Sequence, residues 1–162
     1  VNTKQIAALS AVATIAGIST SAQSQTLDAE AAQTIVQSCA ARATARGQSH
    51  GIAVVDLGGH LVAALRMDGN GWGIQAFAEE KARAAAAWGF PTAGMARAVE
   101  ETPGFAGAPD VVAVGGGVPI FDAEGRERIG GAGASGEPPE DDAACVIAGI
   151  AAAGLRSSRA EN

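Results

Sequence analysis

Lys81 is the side chain whose position most demands an explanation. Residues 74–88 place Ile74, Phe77, Ala78, Lys81, Ala84, Ala85 and Trp88 on one helical face, with the lysine in its middle. An ammonium there needs an acidic partner, an anionic ligand, or an exit to water along its own stem. Arg66 and Asp68 flank Met67, just ahead of the Gly/Asn-rich run 69–73. A guanidinium at a strand end is a fixed fork for carboxylates, and aspartate suits the turn that follows. Arg66 and Lys81 can therefore share one anionic group, with Asp68 beside them. Gly116, Gly117 and Pro119 complete the candidate ligand-binding set. Glycine there lets backbone come close to a ligand, a neighbouring strand or a second subunit.

His60 follows Gly58 and Gly59, at the other end of the strand that finishes in Arg66. Strand rise separates the two by about 20 Å, so one small molecule cannot touch both within a chain. His60 is either a solvent-facing turn residue or part of a site completed by another subunit. His50 lies in a loop. Cys39 and Cys145 have no metal-type spacing, so they form either a disulfide or two buried thiols. There is no nucleophile elbow, paired-histidine zinc motif, Walker loop or dinucleotide fingerprint. Hydrolase and nucleotide-binding functions are disfavoured.

The elements that must position these residues are readable from periodicity. A helix is predicted over 27–46, started by Thr26 or Asp28 and stopped by Gly47. Runs 52–56 and 60–67 form a hairpin about Leu57-Gly58-Gly59. Helices follow over 74–88 and 92–100, then a second hairpin over 111–134. A last helix over 140–155 is opened by Pro138 and Pro139, with Asp141 and Asp142 at its positive end. Helices alternating with tight hairpins imply α+β, a single domain with an antiparallel sheet.

Residues 1–22 have the layout of a secretory signal peptide: Lys4, an apolar stretch, then the small residues Thr20-Ser21-Ala22. The expected mature domain is 23–162, in the periplasm or secreted. The formal charge of −6 disfavours nucleic acid and anionic membrane as partners. With 22 Gly, 4 Phe, 2 Trp and no Tyr, the core must rely on close backbone packing, and a homo-oligomer is expected.

Ile52-Ala53-Val54-Val55-Asp56-Leu57-Gly58-Gly59-His60-Leu61-Val62 and Arg66-Met67-Asp68-Gly69 resemble the first signature of the GlcG/HbpS family of haem-binding and haem-degrading proteins. Lys81-Ala82, Gly116-Gly117-Val118-Pro119-Ile120 and Ile129-Gly130-Gly131-Ala132-Gly133-Ala134-Ser135-Gly136, followed by Asp142, resemble its later signatures in order. The resemblance covers about residues 26–155. It implies a three-layer α-β-α, profilin-like domain with a central antiparallel sheet flanked by helices, assembled into oligomers, often octamers. It also implies a non-covalent haem cofactor, with haem degradation or iron capture as the activity. His60 is then the candidate haem-iron ligand, with His50, Met67, Met95 and the thiols as the other candidates, and Arg66 and Lys81 attract the propionates. The alternative is a small organic-acid binding protein, or a lyase or isomerase, using the Arg66/Lys81 pocket. No catalytic residue is assigned.

Overall fold

Alternation along the central strands decides which side chains meet which helix. The computed structural model describes residues 26–161. In chain order it contains α1 (Ala29–Ala45), β1 (Gly51–Asp56), β2 (Leu61–Arg66), α2 (Trp72–Trp88), α3 (Thr92–Glu101), a 3-10 turn at Phe105–Gly107, β3 (Gly117–Phe121), β4 (Arg128–Ser135) and α4 (Pro139–Ala152). The strands form one antiparallel sheet in the order β2-β1-β4-β3. From β1, Ile52 and Val54 point into a core shared with α1 and α4, while Ala53 and Val55 point to Ala78, Ala82 and Ala86 of α2. The result is the expected α+β domain in three layers.

Glycine makes the α2 face of the sheet unusually flat. On β4, Ala132 and Ala134 fill the core toward α1 and α4. A Cβ at Gly131 or Gly133 would strike the backbone of α2 at Ala82 or Ala78, and one at Gly117 would strike Lys81 O. Helix and sheet thus meet backbone to backbone, which compensates for the shortage of large side chains. The glycine clusters accept the protein's own helix. On the opposite face α1 and α4 are joined by the Cys39–Cys145 disulfide.

Local signals set the element ends. Asp28 caps α1 by accepting from Ala31 N at 2.7 Å, and Gly89 ends α2 in the left-handed region at φ 76°. Two expectations are corrected. The run 111–114 is not a strand: Gly116, at φ 119°, turns the chain at the sheet's end, so β3 begins only at Gly117. The buried stripe of α2 includes Ala82 and Ala86, while Trp88 is 38% exposed, because the sheet lies under the alanines. The expected signal peptide lies outside the described residues. Among the described residues, no helix is long and apolar enough to cross a membrane.

Candidate functional site

Lys81 finds its acid inside the protein. Its residue is 1% exposed, and Nζ donates to Asp142 Oδ2 and to Ala134 O, each at 3.0 Å. The ammonium also lies 4.9 Å from the centre of the Phe77 ring. Asp142, equally buried, sits in the first turn of α4, where the helix dipole favours a carboxylate. Its Oδ1 accepts from Glu137 N at 3.2 Å and from His50 Nδ1 at 2.9 Å. A carboxylate can only accept, so His50 Nδ1 carries the proton in that bond. His50 Nε2 is buried and meets no partner. This Lys81–Asp142–His50 cluster ties α2, α4 and the start of β1 together at one end of the sheet. Gly116 belongs to it sterically, since a Cβ there would come within 2.8 Å of Lys81 Nζ and 2.9 Å of Asp142 Cβ.

The other ligand-set residues lie near this end but do not converge on it. Arg66 is exposed and donates through Nη1 to Asn70 O. Asp68 is exposed, and its backbone carbonyl accepts from Ser49 Oγ at 2.7 Å. Gly117 N donates to Thr92 Oγ1 at 2.9 Å. Pro119 is buried in β3 opposite Gly131, on an edge strand where a missing N–H is tolerated. Arg66 and Lys81 therefore do not share an anion-binding surface in this structure: one is solvated at the end of β2, and the other is sealed against Asp142.

The opposite end of the sheet is open and carries His60. Its side chain is 82% exposed, with Nδ1 3.3 Å from Asp56 Oδ1. Asp56 also accepts from His60 N at 2.9 Å, and that backbone bond is the main cause holding its carboxyl below the ordinary carboxylate range. Anchored in this way, the imidazole leaves Nε2 free. Leu57 and Leu61 are exposed on either side of the turn. One hollow of about 270 Å³ lies between the turn and Arg128, lined also by Leu27 and Ile129. A second, of about 320 Å³, lies between the turn, Arg83 and Asp110.

Sequence reasoning underrated His50 and used Asp142 only as a helix-end charge and a family position. The missed signal was the stripe Asp142, Cys145, Val146, Gly149, which places Asp142 on the inward face of α4 just as Lys81 stands on the inward face of α2. Two opposite charges, each on an apolar stripe of a different helix, are natural partners. His50 gave no comparable signal, being a single residue ahead of a strand.

The three-layer α-β-α domain is a fold found in solved structures of other proteins. The chain belongs to the family described as haem degrading protein HbpS-like, whose model matches residues 27–151. It is similar to the crystal structure of HbpS, with 30% identity and a TM-score of 0.73 over 86% of this chain and 97% of that one. It is equally similar to a doubly substituted HbpS of Streptomyces reticuli, with 30% identity and a TM-score of 0.72 over 90% and 97%. A structure of a PduOC–haem complex, 22% identical, shares the fold at a TM-score of 0.74 over 83% of this chain and all of that one. No curated protein matches the chain.

Proposed function

We propose that this protein is an exported, oligomeric haem-binding protein that takes part in haem degradation or iron capture. The observation that carries the reading is the family match across residues 27–151. Likeness to HbpS and to the fold of a haem-bound PduOC supports it.

The open end of the sheet suits the cofactor. An imidazole held through Nδ1 by a carboxylate, with Nε2 free, is the arrangement that orients histidine toward a metal. Exposed Leu57 and Leu61 offer apolar contact for a macrocycle face. The two hollows fall near the lower end of ligand pockets, about 300–1,000 Å³. His60, with Leu57 and Leu61 beside it, would therefore hold a porphyrin at the turn rather than inside the fold. Bound haem supplies the iron centre for oxygen and electron chemistry. The Cys39–Cys145 disulfide supports an oxidising compartment, as does the leader-like pattern of residues 1–22. No observation favours the organic-acid alternative, since its lysine is paired with Asp142.

Titration with haemin tests the proposal. A saturable Soret shift is expected at one haem per chain or per pair of chains, with the band displaced in His60→Ala. No shift at stoichiometric haemin refutes haem binding; an identical band in His60→Ala refutes His60 as the ligand.

A further inference from the structure

Arg128 is a cation at the open end that has no counterion among the described residues. It starts β4, its Nε is buried with no hydrogen-bond partner, and no carboxylate among the described residues pairs with it. Arg83, the other guanidinium beside the turn, is occupied: it donates to Gly59 O at 3.2 Å and to Glu79 at 3.3 Å. The nearest acid in the Arg128 hollow is Asp56, whose Oδ1 is turned to His60 N and to the His60 ring. Part of the guanidinium lies against Gly89 at the end of α2, where the helix dipole favours a cation. That contact offers no acceptor for Nε.

We infer that Arg128 is the carboxylate-binding residue of the open end and receives a propionate of the porphyrin; this rests on the haem-binding reading. The sheet supplies the geometry. His60 faces Asp56 across the hairpin, and Asp56 pairs with Gly130 of β4, two residues from Arg128. Two strand spacings, about 10 Å, separate the histidine strand from the arginine strand. A macrocycle centred near His60 then brings a propionate arm over the Arg128 hollow, whose Leu27, Leu57 and Ile129 give the ring edge an apolar bed. A fixed fork without an internal acid suits a carboxylate better than a point charge would.

The test uses iron-free protoporphyrin IX and its dimethyl ester, so that binding does not depend on His60 ligation. The wild-type protein is expected to bind the diacid about tenfold more tightly than the ester, as for one charge-assisted hydrogen-bonded pair. Arg128→Gln should bring that ratio close to one while leaving the ester's affinity unchanged. Each ratio is internal to one variant, so a merely structural role for Arg128 shifts both affinities and not their quotient. Should Arg128→Gln not fold, Arg128→Lys keeps the charge at the end of α2 and should give an intermediate ratio. If the wild type binds both porphyrins but the ratio is the same in wild type and variant, the Arg128 assignment is overturned and porphyrin binding stands. If neither porphyrin nor haemin binds the wild type, both readings are overturned.

Discussion

Replacing Lys81 by methionine should be among the most damaging single substitutions in this fold, and its cost can be worked from the buried cluster. Methionine nearly preserves side-chain volume, so the cavity contribution is small. The electrostatic contribution is not. Asp142 Oδ2 and Ala134 O each lose a donor at 3.0 Å, and the carboxylate stays buried on His50 Nδ1 and Glu137 N alone. Breaking one side of a buried ion pair costs about 3–5 kcal/mol. A domain of this size has roughly 5–15 kcal/mol in all. The melting temperature should fall by about 10–20 °C, at about 3–4 °C per kcal/mol. Urea unfolding followed by tryptophan fluorescence reads the loss as a lower midpoint at unchanged slope. Asp142→Asn should also destabilise, and the double variant should lose clearly less than the sum of the singles, with a coupling of about 1–3 kcal/mol. Single losses below about 1 kcal/mol that simply add would refute the reasoning. They would mean that the ammonium reaches water and that the pair does not hold the two helical layers together.

Gly133→Ala tests the flat face of the sheet: its Cβ would meet the backbone of α2 at Ala78 and Ala82, and overpacking of this kind costs about 1–3 kcal/mol, read from the same unfolding curves. A variant as stable as wild type would show that α2 is free to lift. The Cys39–Cys145 disulfide closes a sequence separation of 106 residues, so reduction should lower stability by about 2–5 kcal/mol. Protein unfolded without reductant should show no reactive thiol; two equivalents of free thiol would contradict the bridge.

The layer order was legible because α1 and α2 end on local signals and the Leu57-Gly58-Gly59 turn closes the first hairpin. Asp28, Gly47 and Gly89 act locally, and local signals survive folding unchanged. The extent of β3 was not legible: Val111 to Val114 read as a strand on composition, yet a strand needs a partner edge, and Gly116 bends the chain away before one is offered. Glycine at Gly117 marks a close approach, but the expected visitors were a ligand, a neighbouring strand or a second subunit, and the backbone it meets is that of a helix. Here the visitor is α2, whose alanines alternate in step with Gly131 and Gly133.

The same ambiguity explains the fate of the two cations. A lysine on an apolar stripe and an arginine at a nearby strand end look like one binding site when only their separation along the chain is known. Burial distinguishes them. A charge fully removed from water must be neutralised within the fold, and Asp142 does this for Lys81. A charge left to meet a ligand must instead line a hollow without an internal acid paired to it, and Arg128, which no motif singled out, does so beside the turn that carries His60. In this fold the charge that looked most chemical in the sequence is the one least able to meet a ligand, and the glycine-rich strands serve to seat the helix that buries it.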